Sequence, residues 1–482
     1  MGILSFAYFL HTLLETGDFS SPGGLIDHEY SGKIFWFTRP NLFQLGLSTQ
    51  QMRAVFAAAA LASWALILGY RVKFFAAVLY LTAVSVQRWN FLVMYVDDSI
   101  VHLLLFWMLL LPVGQTLIFS EWLMERPPVW QRWKHKQVAG AALRCFLWNL
   151  ALIYLVAGLW KWSSPMWRDG TALYAVLKLP IAYTPDFWNA AHLPALRVLN
   201  YGVLFLEPAL PLILLLPARH WAKYGLLVAL LAFHLAMLGT LRIPFANVAC
   251  MATAIIVFRE EIAARLHIGA ADRAANPALW KLGWSGACAL LFVGTLTLAM
   301  LSSVILPQWR QPTRQDAIVR AGVARRLTSV TDGTGPVQLA FYIPLWEIGI
   351  AQQYQLFNWI DERNYAVRYE VLARTPGAPA RSIDPGKVFP RSTRSVLLQT
   401  YLLGITWFHI PVEQQAELRR SLYARFAQRY CSSYDSGDIA VYSILTRIVP
   451  LHQEREPDTR ALMMHFDCNS GGPLVSAMNL EP

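Results

Sequence analysis

The chain has 482 residues, of which 56% are hydrophobic and only 15% charged, against roughly 45–50% and about 25% in an average soluble chain. With a mean hydropathy of +0.38, this composition excludes intrinsic disorder, which needs low hydrophobicity and high charge. It equally excludes a string of soluble domains, which could not hide so much apolar surface behind so few charges. The net charge of +11, from 41 Lys+Arg against 30 Asp+Glu, reads as the basic excess of cytoplasmic loops in a polytopic membrane protein. No basic run interleaves with aromatics as a nucleic-acid-binding face does, so no nucleic-acid partner is expected and membrane lipid is.

A helix needs roughly 17–25 apolar residues to cross a ~30 Å hydrocarbon core. In chain order the candidate segments are residues 2–14, 54–70, 74–86, 100–119, 145–160, 195–216, 221–240, 243–258 and 282–306, about nine in all, the first and third being short. Residues 2–14 lack the basic flank and cleavage site of a signal peptide. Arg71, Lys73, Arg126, Arg132, Lys134, Lys136, Arg144, Arg219, Lys223, Arg259, Arg265, Arg273 and Lys281 fall in loops on one side, whereas Asp18, Asp27, Asp97 and Asp98 fall on the other. The positive-inside rule therefore puts the N-terminus in the cytoplasm and, after nine crossings, the tail outside.

Two regions follow: a transmembrane helical domain over residues 1–306 and an extramembrane α+β domain over residues 307–482. In the tail, residues 365–372 alternate as a strand does, and residues 439–445 and 461–466 read as further strands. Pro376, Gly377 and Pro379 mark a turn. Residues 394–403 and, more strongly, 412–430 read as helices, the latter with Leu418, Leu422 and Phe426 on one face. The fold class is thus mainly α, a polytopic bundle with a small α+β tail. Cys431 and Cys468 both lie in the tail, and a disulfide between them is open to an outward-facing domain. Cys145, Cys250 and Cys288 sit in apolar runs as buried hydrophobes. No CxxC or HExxH spacing points to a metal.

Ionisable residues within apolar segments point to function by default. Lys161 closes residues 145–160; Asp97 and Asp98 open residues 100–119, with His102 four positions after Asp98; Glu207 lies mid-segment before Pro208 and Pro211; His234 and Arg242 follow. Six of these fall toward the outer half and Glu207 near the midplane, which suggests an outward-opening polar cavity. Other readings stand beside this one: snorkelling for Lys161 and Arg242, capping for Asp97 and Asp98, interhelical hydrogen bonds for His102 and His234, and a neutral structural acid for Glu207. Trp89, Tyr95, Trp160, Trp162 and Trp167 read as an interfacial aromatic belt.

The run YLVAGLWKWSSPMWRDGTAL, residues 154–173, resembles the Y-F-x-A-G-x-x-K…W-x-x-G signature of the vitamin K-dependent gamma-carboxylase family and its bacterial HTTM relatives. Residues 68–84, 95–114, 205–215 (FLEPALPLILL), 233–238 (FHLAML), 243–248 (IPFANV) and 382–402 are similar to further blocks of that family, in order. The resemblance implies that Lys161 is a catalytic base that deprotonates a vitamin K-type, menaquinol-like hydroquinone. Reaction with oxygen then yields a stronger base, which takes the gamma proton of a peptide glutamate so that the carbanion captures carbon dioxide.

By the same resemblance His234 is an active-site histidine; Asp98, where the family's catalytic histidine is absent, is a candidate substitute acid/base group; and the polar-cavity reading puts Asp97, His102, Glu207 and Arg242, with the flanking Trp160 and Trp162, at the substrate and cofactor site. Trp160 and Trp162 would desolvate Lys161 and favour its neutral form. The chain departs from the animal enzyme in having Trp160 in place of the first of two lysines, and Asp97, Asp98 and Ser99 in place of Asn-Asn-His-Ser. Its tail is also shorter. Two functions are therefore expected in competition: a quinol-coupled carboxylase acting on a peptide or protein at the outer face, and a non-enzymatic membrane partner (immunity, export or sensing) on the same scaffold.

Overall fold

The computed structural model describes residues 1–21, 24–25, 41–89, 94–111, 113, 140–217, 220–258, 283–305, 365–389, 412–434, 437–448 and 458–475, together with residues 341, 344–345, 347–350, 357, 360, 392 and 394–396. The loops carrying Asp27, Arg126 to Lys136, Arg219 and Arg259 to Lys281 lie outside this set. The described chain is mostly helical with one small antiparallel sheet.

Each expected apolar segment coincides with a helix. They are α1 (Gly2–Leu14), α2 (Thr49–Ile67), α3 (Val72–Trp89), α4 (Val96–Leu110), α5 (Gly140–Ser163), two short helices α6 (Pro165–Asp169) and α7 (Ala172–Lys178), then α8 (Leu193–Ala209), α9 (Leu212–Leu215), α10 (Trp221–Thr240), α11 (Pro244–Val257) and α12 (Trp284–Ile305). Local chemistry sets their ends. Ser48 and Gln51 form a reciprocal capping box at the start of α2. At the end of α4, Leu111 is extended, with ψ 149°, since Pro112 follows and disfavours a helical predecessor.

As crossings, the count differs from the expected nine. Among the described residues three helices are long and apolar enough to span a membrane by length and composition: Ala141–Ser163 of α5, α10, and Trp284–Leu301 of α12. α1 and α11 are apolar but shorter. The difference has two sources: α2 and α3, 19 and 18 residues long, are not apolar enough to qualify, and other runs count residues that the helix excludes. Residues 100–119 yield a helix that stops at Leu110, and residues 195–216 break into α8 and α9 beside Pro211.

Neighbouring helices pack as α1 on α2, α2 on α3, α3 on α4, α4 on α11, α11 on α10, and α5 between α8 and α12. Trp107 of α4 meets Phe146 of α5 and Phe292 of α12 edge-on, and its indole N–H donates to the fully buried Asn149 at 2.7 Å. The α5–α8 contact depends on Gly158. A Cβ built there would lie 2.6 Å from Pro208 Cδ, so only glycine lets the two backbones approach this closely. Gly158→Ala is expected to lose about 1–3 kcal/mol through overpacking. Gly202→Ala, facing open space on α8, should be neutral or gain up to about 1 kcal/mol from helix propensity. Thermal unfolding of the two variants in detergent checks the pair.

In the tail, β1 (Tyr365–Arg374), β2 (Arg381–Ile383), β3 (Asp438–Arg447), β4 (Thr459–Asp467) and β5 (Gly472–Val475) form a sheet of order β2-β1-β3-β4-β5, every pair antiparallel. β3 alternates buried Ile439, Val441, Ser443 and Leu445 with half-buried neighbours, the period-2 signature of a one-faced strand. Leu422 and Phe426 of α13 (Val412–Ser433) are buried in the same core, while the Leu418 side chain lies outside the described set. Of the expected helix at residues 394–403, residues 394–396 are described and helical. Cys431 and Cys468 are disulfide-bonded, which ties α13 to the end of β4.

The tail docks against one end of the helical region. Ile348 accepts from Tyr80 and Glu347 from Arg88 through their carbonyls, both donors lying on α3. Phe357 O accepts from Trp167 of α6, and Arg429 pairs with Asp18 just after α1. Arg394 reaches deepest, to Glu15 after α1 and Asp98 of α4.

Candidate functional site

Lys161 and Glu207 meet where Gly158 brings α5 onto α8. Lys161 Nζ lies 2.6 Å from Glu207 Oε2, and the side chains are 2% and 4% exposed. Trp162, one residue on, donates to Leu204 O at 3.1 Å and packs edge-on to Phe205, so α8 holds this last turn of α5 in register. The amine also lies 5.2 Å from the Trp167 ring centroid, within cation–π range. Lys161 thus points inward onto a carboxylate rather than outward to headgroups, the opposite of a snorkelling geometry.

Trp167 is fixed on several sides. α6 begins at Ser164, whose hydroxyl accepts from Trp167 N, and it ends at Gly170 in the left-handed region, φ 88°. Buried Asn200 of α8 donates to Trp167 O at 2.8 Å and accepts from Leu173 N at 3.1 Å. The indole N–H donates to Phe357 O of the tail at 2.8 Å.

A second polar cluster lies on the same helix. Tyr154 precedes Lys161 by seven residues, two turns, and so shares its face of α5. Its hydroxyl is 2.8 Å from His234 Nε2 on α10, and His234 Nδ1 is 2.8 Å from Asn247 Oδ1 on α11. Asn247 Nδ2 donates to Ile243 O at 2.6 Å.

The two aspartates are engaged elsewhere. Asp97, fully buried, accepts from Ala246 N at 2.6 Å at the start of α11, so it caps a neighbouring helix rather than its own. Asp98 accepts Arg394 in bidentate fashion at 2.8 and 3.2 Å, Tyr8 Oη at 2.7 Å and Tyr95 N at 3.0 Å. Arg394 also donates to Glu15 at 3.1 Å. His102 is buried, and its ring nitrogens make no well-formed hydrogen bond among the described residues. Arg242 lies over the Tyr183 ring at 5.1 Å, and Trp160 is buried in the core while Trp162 is 39% exposed.

Of the residues expected at the site, the structure therefore joins Lys161 to Glu207 and sets His234 on the same face of α5 through Tyr154. It places Asp97, Asp98, His102 and Arg242 in other contacts. Tyr154, Asn247, Trp167, Glu15 and Arg394 were not singled out as site residues from sequence. For Tyr154 the signal was its seven-residue spacing from Lys161; for Arg394, which meets Asp98 across 296 residues, no local signal exists.

Chemically, a buried amine–carboxylate pair shares one acidic proton. Either distribution of it leaves the pair electrically neutral, which limits the cost of burial. With the proton on Glu207, Lys161 is a base. Among the described residues no three His, Cys, Asp or Glu side chains converge as a metal site. Comparison with family models, with curated proteins and with solved structures finds no match to this chain.

Proposed function

We propose that the chain is an integral protein of a bacterial inner membrane and that its Lys161–Glu207 pair is the base of a quinol-dependent deprotonation that carboxylates a peptide glutamate. The observation that carries this reading is the 2.6 Å contact of two fully buried ionisable groups in an apolar helix pair, an expensive arrangement in a bilayer. The resemblance of residues 154–173 to the gamma-carboxylase signature supplies the reaction class.

A menaquinol-like hydroquinone suits these donors, since an amine and a carboxylate meet a hydroxyl and the Trp167 indole offers a flat wall. When bound, it would supply the reducing equivalents by which oxygen is converted to a strong base. Lys161 takes a proton at Nζ while Glu207 holds or returns the one they share. Trp167, pinned by Asn200 and Phe357, keeps bulk water from the amine. The test is quinol-dependent fixation of labelled carbon dioxide into a glutamate peptide by purified protein in lipid nanodiscs. Quinol binding without fixation would overturn the reaction.

One observation favours a second reading. Asp98, the candidate substitute for the acid/base histidine that the family has at this point, is taken up by Arg394, as suits a non-enzymatic membrane partner. In that case Lys161→Ala would retain the cellular role.

The proposed topology is a nine-crossing bundle, N-terminus in the cytoplasm and tail outside. Its support is that tail contacts gather at the ends of α1 and α3, the start of α4 and the end of α5, which alternation of crossings puts on one side. The Cys431–Cys468 disulfide is of the kind that persists outside the cytoplasm. Alkaline phosphatase fused after Pro482 is expected to be active; a fluorescent cytoplasmic-type reporter at that position would contradict it.

A further inference from the structure

Asn247 decides the protonation pattern of the His234 ring. Its side-chain amide spans the Ile243 carbonyl at 2.6 Å and His234 Nδ1 at 2.8 Å. A carbonyl only accepts, so the amide nitrogen faces Ile243 and the amide oxygen faces His234. Nδ1 therefore carries a proton. In a neutral ring Nε2 is then the lone pair, and the Tyr154 hydroxyl, 2.8 Å away, donates to it. With the phenolic proton committed to His234, the Tyr154 oxygen has only lone pairs left to offer. Phenol, imidazole and amide thus stand in the order of acid, base and orienter found in catalytic triads.

This cluster and the Lys161–Glu207 pair occupy one face of α5, two turns and about 10 Å apart along its axis. We propose that Tyr154, His234 and Asn247 form a second proton-transfer centre, with Tyr154 as a catalytic residue, Asn247 as a positioning residue, and as ligand a flat aromatic diol whose hydroxyls face the two centres from opposite ends. The proposal rests on the proton-transfer reading of Lys161. Tyr154 takes the proton of the distal hydroxyl onto its oxygen as its own O–H bond breaks and that proton passes to Nε2. Tyr154 ends as a phenol, His234 as an imidazolium, and the electron pair of the broken O–H bond stays on the ligand oxygen.

The test uses the full chain in nanodiscs, with 1,4-naphthohydroquinone and 1-naphthol as anaerobic probes and tryptophan fluorescence quenching as the affinity readout. Tyr154→Phe is expected to weaken the diol about tenfold, the scale of one lost hydrogen bond. It should leave 1-naphthol unchanged, because that single hydroxyl goes to the Lys161–Glu207 pair, whose amine and carboxylate both face it. In wild-type protein carrying ¹⁵N-histidine, His234 is expected as the Nδ1–H tautomer, turning mixed in Asn247→Leu. An Nε2–H ring in the wild type, or equal weakening of both probes by Tyr154→Phe, overturns the second centre. If Lys161→Met leaves diol affinity unchanged while Tyr154→Phe lowers it, the Lys161 reading fails and the Tyr154 centre stands. The reverse pattern keeps Lys161 and removes Tyr154.

Discussion

Lys161→Arg is expected to insert into the membrane and bind quinone yet lose turnover by about 10²-fold or more, the scale usual for a general acid/base group. Arginine keeps the charge opposite Glu207 but cannot give up its proton at working pH. Its extra atoms enter a fully buried contact, so a stability loss of about 1–3 kcal/mol from overpacking is expected alongside. Lys161→Met tests the pair as structure. It strands the buried Glu207 carboxylate beside apolar groups, a cost of about 3–5 kcal/mol. Lys161→Met combined with Glu207→Leu should recover most of that loss, because an apolar pair of similar volume replaces a buried ion pair at little net cost. Insertion, thermal unfolding, quinone binding and carbon dioxide fixation measured side by side distinguish the roles. Wild-type activity in Lys161→Arg would leave the lysine as a strut between α5 and α8 and remove the strongest link to carboxylation.

Arg394→Ala is expected to loosen the tail from the helical region. The guanidinium is 3% exposed and touches both Asp98 and Glu15, so its removal leaves two carboxylates in a buried setting, again a cost of about 3–5 kcal/mol. Arg394→Lys keeps the charge but loses the planar fork that meets both Asp98 oxygens, and should recover only part of that cost. The readouts are the unfolding temperature and hydrogen exchange over β1, β3 and β4. Arg394→Ala with unchanged exchange in those strands would mean that the arginine fills space without holding the tail.

Much of the secondary structure was legible in the chain because a long apolar run satisfies its backbone polar groups internally as a helix. Each expected run holds a helix, with α1 and α10 matching to the residue. The strand at residues 439–445 was legible for a related reason, since a sheet buried on one face writes its period into the sequence, whereas residues 461–466 form a strand in which Met463 and Met464 are buried in succession. What an apolar run does not encode is where its helix stops, as beside Pro112 and Pro211, and so among the described residues three helices rather than nine are long and apolar enough to span a membrane.

For the site, sequence alone singled out Lys161, Glu207 and His234, because charge within apolar sequence is conspicuous and costly. It could not say which charge meets which. Asp97, Asp98, His102 and Arg242 were equally conspicuous, and only the packing of α4 against α1 and α11 and the docking of the tail assigned Asp97 to a helix cap and Asp98 to Arg394. Lys161 meets Glu207 because Gly158 lets two backbones touch at Pro208, a contact that depends on the relative rotation of two helices. Pairing in three dimensions is a property of that rotation and depth, and neither is carried by the residues of one helix.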